Sequence, residues 1–228
     1  MPELKMARGS YHLHPSKIIC LLRSYAKHAK ELGNEVPDRP RFFLKPPSSL
    51  LPNRGKVIIP VGSGEVHHEV ELAVIMGRNG KDIPVQEVPS HVLGYTVMLD
   101  ITARDLQSEA KSKGLPWAEA KGFDSFAPVG PEIVPADRYD WRGRSIWLEV
   151  NGERRQDSNT DLLLWPVESI VSGLSSVMTL EKGDIIMTGT PSGVGPLHPG
   201  DSVRAGIEGI QSLEVEVVMG EGPLEESE

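Results

Sequence analysis

The chain has 228 residues, 39% of them hydrophobic and 25% charged, with a formal net charge of −8. That length can bury a real core and suits one large domain better than two small ones, and the composition excludes wholesale disorder. The acidic balance, with no Lys/Arg stripe or basic arm, argues against a nucleic-acid partner.

The first fifteen residues, with His12 and His14, read as a loose or edge segment, so residues 1–17 are expected to be an N-terminal extension. Ile18 to Leu22 reads as a short strand. It holds the only cysteine, Cys20, whose apolar neighbours suit a small buried hydrophobe better than a nucleophile. One thiol makes no internal disulfide and no cysteine metal cluster, as in a reducing cytoplasm. Ser24 to Leu32 reads as a helix, with Ser24 as N-cap and Gly33 as stop. Lys56–Pro60, Val66–Met76 and Val92–Leu99 read as strands. Thr102 to Lys113 reads as a helix opened by a Thr102/Asp105 capping box and closed by Gly114. Ser145–Val150 alternates and turns at Asn151-Gly152, a hairpin signal. Pro166 to Thr179 reads as a helix, and Asp184–Thr188, Ser202–Ala205 and Ser212–Val218 as strands. The tail 219–228 is acidic and is expected to fray.

Strands outnumber helices, and 23 glycines and 19 prolines punctuate the chain without a low-complexity linker. The expected class is mixed α/β, mainly β, with peripheral short helices around a single catalytic domain over 18–218. No stretch approaches the roughly 18 apolar residues of a membrane helix, and no N-terminal segment resembles a signal peptide. A cytoplasmic chain with no membrane partner is expected.

The segment His67-His68-Glu69-Val70-Glu71-Leu72-Ala73-Val74-Ile75-Met76 carries the strongest chemical signal. Side chains alternate along a strand, so His67, Glu69, Glu71 and Ala73 share a face. Two carboxylates on one face of a strand that ends wholly apolar repel each other and lose solvation. A hard divalent cation removes both costs; a solvated sheet face is the plainer alternative. Asp100 closes the apolar strand Tyr95–Leu99 and is placed to be a third oxygen ligand, leaving open positions for substrate. His67 fits better beside the ligands than among them. Thr188-Gly189-Thr190-Pro191-Ser192-Gly193-Val194-Gly195 is neither a Walker A loop nor a dinucleotide fingerprint. It reads equally as a tight turn and as an amide cradle for a carboxylate, with the Thr190 hydroxyl helping.

These residues, with Phe43-Leu44-Lys45-Pro46, Gly94-Tyr95-Thr96, Thr102-Ala103-Arg104-Asp105, Lys121-Gly122-Phe123-Asp124, Asn151-Gly152-Glu153 and Gly183-Asp184-Ile185-Ile186, occur in the order of the fumarylacetoacetate hydrolase family. The resemblance runs from about residue 18 to 218. The short length and Lys113-Gly114-Leu115-Pro116-Trp117 are similar to its acylpyruvate hydrolase and oxaloacetate decarboxylase branch. The resemblance implies the family's β-roll fold and a homodimer. It implies Mg²⁺ or Mn²⁺, with Ca²⁺ as a substitute, on Glu69, Glu71 and Asp100. Lys121 matches the active-site lysine, and His28 and Glu31 match a His–Glu pair on a lid helix. Arg104, Gln107 and Thr190 match positions lining the substrate pocket, and Gly189 joins them as an expected cradle amide. The implied activity is cleavage of the C3–C4 bond of a small 2-oxo acid through a pyruvate enolate. The alternatives are an isomerase or decarboxylase of 2-hydroxyhepta-2,4-diene-1,7-dioate-type compounds, and a catalytically silent oxo-acid or metal binder. One departure stands out: the family's Gly-Arg-Asn-Tyr is here Leu22-Arg23-Ser24-Tyr25.

Overall fold

The computed structural model describes residues 3–6, 9–26 and 38–221. Two sheets dominate. The larger has six strands in the order Val134–Pro135, Val92–Leu99, Val70–Met76, Ile185–Met187, Ile18–Leu22, Arg41–Lys45. Ile185–Met187 and Ile18–Leu22 run parallel, and the remaining pairs are antiparallel. The second sheet has five strands in the order Glu153–Asn159, Ser145–Val150, Ser202–Ile207, Ile210–Met219, Lys56–Ile59. The Asn151-Gly152 turn closes its first hairpin as expected. Both residues have positive φ, 53° and 79°, which a two-residue turn between right-twisted strands requires.

Alternation on the Val70–Met76 strand explains how the sheets pack. Val70, Leu72, Val74 and Met76 point into one core with Ile146, Leu148, Val203 and Val215 of the second sheet. Ala73 and Ile75 point the other way, into a second core with Ile18, Cys20, Met98 and Met187. The strand is buried on both faces, and Glu71 shares the side of Ala73 and Ile75.

Helices lie outside this stack. Arg104–Lys113 ends on Gly114, left-handed at φ 65°. Val167–Val177 buries Val167, Ile170, Val171 and Leu174 against the core. The mainly β class and peripheral helices agree with the sequence reading.

The structure corrects several elements. Val66–Met76 is two strands, Val66–His68 and Val70–Met76, in different sheets. Val66–His68 pairs instead with Thr102–Ala103 and Gly195–Leu197. Apolar alternation continues across the break, so periodicity alone does not reveal it. The Thr102/Asp105 capping box does not form. Thr102 is in a strand, the helix opens at Arg104 without a side-chain cap, and Asp105 accepts from Ser63 and the Gly64 N–H. The N-terminal residues form an edge hairpin, Glu3–Lys5 with Ser10–His12, that buries Leu4, and Leu13 beyond it is buried as well. Asp184 ties this region down. Its carboxylate accepts from Ser16 N (3.0 Å), Ser16 Oγ (2.7 Å), Lys17 N (3.2 Å) and Glu181 N (2.8 Å), with Lys17 Nζ at 2.6 Å. Of the expected helix Ser24–Leu32, residues 27–32 lie outside the described residues.

Candidate active site

The register of the central hairpin assembles the acids. Val70 pairs with Leu99, so Glu69, one step before, faces Asp100, one step after. The Asp100 N–H donates to the Glu69 carbonyl at 2.8 Å and locks that juxtaposition. Glu71 comes from the same strand two residues on. Each of the three buried carboxylates offers an oxygen, and these lie within 4.8 Å of one another. That spread matches oxygens about 2.0–2.6 Å from one shared cation. Asp100 Oδ1 is buried and, among the described residues, accepts no well-angled hydrogen bond, although Lys45 Nζ lies 2.8 Å away. Three hard carboxylate donors gathered this closely fit Mg²⁺ or Mn²⁺.

Three basic side chains surround the acids. Arg104 Nη2 pairs with Glu69 Oε1, while its Nη1 donates to Gln107 Oε1 at 2.7 Å. Lys121 Nζ sits 2.6 Å from Asp100 Oδ2, 3.1 Å from Glu69 Oε2 and 2.6 Å from Thr102 Oγ1. Burial works to lower the Lys121 pKa, but Asp100 and Glu69 outweigh it and hold it above the ordinary lysine value. Two carboxylates within 3.1 Å favour the ammonium form of Lys121. Lys45 is buried beneath. Its Nζ forms an ion pair with Asp100 Oδ1 at 2.8 Å, outside hydrogen-bonding angles, and donates to the carbonyls of Ile101, Lys121 and Phe126.

Glu71 differs from its neighbours. Burial, with Asp100 and Glu69 beside it, pushes its carboxyl well above the ordinary range. Among the described residues, its one hydrogen bond comes from the Gly189 N–H at 2.6 Å. The Gly189 amide, expected as a cradle for a substrate carboxylate, here donates to a protein carboxylate. Gly189 has φ 93°, and a Cβ there would run into Ser24 Oγ, so only glycine brings that N–H to Glu71.

One pocket is lined by Glu69, Glu71, Asp100, Arg104, Gln107, Lys121 and Thr190, with Arg23, Phe43, Lys111 and Trp117 nearer its rim. The structure thus gathers every candidate it describes around one cavity, with Gly189 behind Glu71. His28 and Glu31 lie outside the described residues. His67 bonds to Glu65 and Arg104 rather than joining the carboxylates. Arg104 pairs with neither Asp105 nor Glu109 but with Glu69. Lys45 and Gln156 escaped the residue reading. A lysine in an apolar strand, Phe43-Leu44-Lys45-Pro46, and a glutamine among charged residues are weak signals alone. Trp117 lines the pocket, with Lys111 Nζ 5.2 Å from its ring centroid.

A family model described as fumarylacetoacetate (FAA) hydrolase C-terminal matches residues 17–218. The chain belongs to this family. It is 47% identical to a mitochondrial oxaloacetate decarboxylase of Dictyostelium discoideum over 86% of this chain and 90% of that one. It is 46% identical to a mitochondrial oxaloacetate tautomerase of Arabidopsis thaliana, over 92% and 94% of the two chains. The fold superposes with TM-score 0.91 on a fumarylpyruvate hydrolase of Pseudomonas aeruginosa solved with Mn²⁺ and pyruvate, 37% identical and covering 96% of each chain. The family is one of enzymes. Among the described residues, no helix is long and apolar enough to cross a membrane.

Proposed function

We propose that this chain is a divalent-cation-dependent enzyme that breaks the C3–C4 bond of small 2-oxo acids, decarboxylating oxaloacetate or hydrolysing acylpyruvates. The observation that carries this reading is the buried Glu69–Glu71–Asp100 cluster flooring a pocket whose walls present Arg104, Gln107, Lys121 and Thr190. The relatives named above support the substrate class.

Mg²⁺ or Mn²⁺ on the three carboxylates, with Ca²⁺ as a substitute, supplies Lewis-acid polarisation of the 2-oxo group. The chain's own groups do the rest. Lys121, kept protonated by Asp100 and Glu69, sets a fixed positive charge beside the enolate oxygen that develops as C3–C4 breaks. Arg104, oriented by Gln107, and Thr190 bind and orient the substrate carboxylate. In decarboxylation, CO₂ departs from C3, the electron pair stays as the enolate, and a proton returns to C3. In acylpyruvate hydrolysis, water adds to C4, and the products are a carboxylate and pyruvate. That branch needs a general base, which we assign to His28 oriented by Glu31. A homodimer, a cytoplasmic location and a single catalytic unit over residues 18–218 belong to the same proposal.

A second reading follows from the plant relative's name. Oxaloacetate tautomerisation moves one proton between C3 and the C2 oxygen and shares the enol. Side-by-side turnover of oxaloacetate, fumarylpyruvate, acetylpyruvate and 2-hydroxyhepta-2,4-diene-1,7-dioate with Mg²⁺ and Mn²⁺ separates the readings. CO₂ or carboxylate release supports bond cleavage. Enol–keto exchange alone supports the tautomerase, and double-bond migration in the dienedioate supports the isomerase. Undiminished turnover with excess chelator would refute the metal-dependent scheme. His28→Ala is expected to abolish hydrolysis and largely spare decarboxylation; equal loss of both would contradict that division.

A further inference from the structure

Gln156 lies in the Glu153–Asn159 strand at the edge of the five-stranded sheet, outside the pocket lining. Its side chain is fully buried. Oε1 accepts from the Val70 N–H at 3.0 Å and from His68 Nδ1 at 3.2 Å. Nε2 donates to Thr190 Oγ1 at 2.8 Å and to the Pro191 carbonyl at 2.9 Å. Two accepted and two donated bonds fill the capacity of a primary amide. Its orientation is set by backbone: an N–H at Val70 demands the oxygen, and a carbonyl at Pro191 demands the nitrogen.

Two consequences follow. Val70 stands at the break between the Val66–His68 and Val70–Met76 strands, flanked by Glu69 and Glu71. Gln156 accepts the N–H at that break, so the break costs no buried unpaired donor. At the other end, Thr190 Oγ1 accepts a hydrogen bond from Nε2. One of its two lone pairs is used on the protein side, and its own O–H remains to donate. Thr190 lines the pocket. An amide turned the other way would reverse this polarity and present an acceptor to the ligand.

We propose that Gln156 is a positioning residue of the site. It joins the strand break to the Thr190–Pro191 loop from behind the pocket, holds the Glu69–Glu71 backbone at that break, and orients the Thr190 hydroxyl as a donor toward an anionic ligand. The identity of that ligand as an oxo-acid carboxylate rests on the function proposed above; the polarity of Thr190 does not.

The test has two arms. The first needs no ligand. In ¹⁵N spectra of the protein, both Gln156 side-chain protons are expected to be protected from exchange. Thr190→Val is expected to shift and deprotect one of them and leave its Pro191-bonded partner in place. Two freely exchanging protons in the wild type, or an unchanged pair in Thr190→Val, would overturn the proposal. The second arm titrates oxalate, a planar dianion, into Mn²⁺-loaded protein by calorimetry. A hydrogen bond to a charged group, about 1.5–3 kcal/mol, corresponds to roughly a ten- to hundredfold loss of oxalate affinity in Thr190→Val. Gln156→Glu keeps an acceptor for Val70 but cannot donate to Thr190 when ionised. It is expected to lose affinity to a similar degree, and Gln156→Glu/Thr190→Val to lose no more than the worse single variant. A purely structural glutamine would lower the melting temperature of Gln156→Glu while leaving oxalate affinity within twofold, and that result overturns the proposal. So does wild-type affinity in Thr190→Val. If the first arm succeeds while wild-type protein binds Mn²⁺ but not oxalate, the oxo-acid reading fails and the Gln156–Thr190 polarity stands.

Discussion

Lys45→Met isolates the buried cation that underpins the site. The Lys45 side chain is inaccessible to solvent, and its ammonium meets four oxygens: Asp100 Oδ1 at 2.8 Å and the carbonyls of Ile101 (2.9 Å), Lys121 (2.6 Å) and Phe126 (3.0 Å). Methionine keeps an unbranched stem as far as the ε position and lacks only the terminal nitrogen, so the cavity term is small. What remains is an uncompensated buried carboxylate and three carbonyls that have lost this donor. Breaking a buried pair from one side costs about 3–5 kcal/mol. Adding a full penalty for each carbonyl would overcount, because Asp100 keeps Lys121 through Oδ2 and the surroundings can relax. The expected loss is therefore about 3–5 kcal/mol, which for a chain of this size lowers the melting temperature by roughly 6–20 °C. Urea unfolding followed by fluorescence measures it as a fall in midpoint at constant slope. Lys45→Arg is expected not to rescue, because a planar guanidinium cannot converge on four oxygens arranged around one ammonium. A loss below about 1 kcal/mol would refute the assignment of Lys45 as the charge that holds Asp100 in place.

Other expectations test the site and its frame. Glu69→Ala and Glu71→Ala should each abolish tight Mn²⁺ binding in calorimetry; retention by either would remove that residue from the ligand set. Glu71 is pushed up by burial, Asp100 and Glu69, so it holds its proton above the ordinary carboxylate range and must release it to bind a cation. Mn²⁺ affinity should therefore rise with pH until Glu71 is ionised in both states. Binding enthalpies in two buffers of different ionisation enthalpy should differ by the released proton, and identical enthalpies would argue against it. Asp184→Asn turns one acceptor of the N-terminal tether into a donor facing the Glu181 N–H and removes the charge facing Lys17. It should cost about 1.5–3 kcal/mol and expose residues 3–16 to limited proteolysis; unchanged stability would mean that the tether is redundant.

Much of the fold was legible because single strands carry their own signals. Val92–Leu99 is a long apolar run, Ser145–Val150 alternates, and Asn151-Gly152 is a turn that few other residues make. Long-range pairing was not legible. Nothing in Val66–Met76 distinguishes one strand from two, since the break at Glu69 is stabilised by Gln156, 86 residues further on in the chain. The capping box failed for a similar reason. Thr102 has the right residue type for a cap, but its hydroxyl bonds Lys121 and the Asp100 carbonyl, and its backbone pairs with His67. Tertiary partners outbid a local motif worth about 1 kcal/mol.

The site shows the same division. Carboxylates stand out in a sequence because two acids on one buried face are expensive wherever the strand lies. Their compensation does not stand out, because Lys45, Arg104 and Lys121 come from three separate segments and each looks like an ordinary surface charge. Formally these three cations already balance Glu69, Glu71 and Asp100. The balance is uneven: all four ion pairs that these cations make fall on Glu69 and Asp100, and among the described residues Glu71 has only the Gly189 N–H. A divalent ion joining this set would meet Glu71 as the carboxylate with the least compensation from neighbouring cations, so proton release on binding is expected chiefly from Glu71. The acid that looked equivalent to its neighbour two residues away is thus the one expected to couple cation binding to pH.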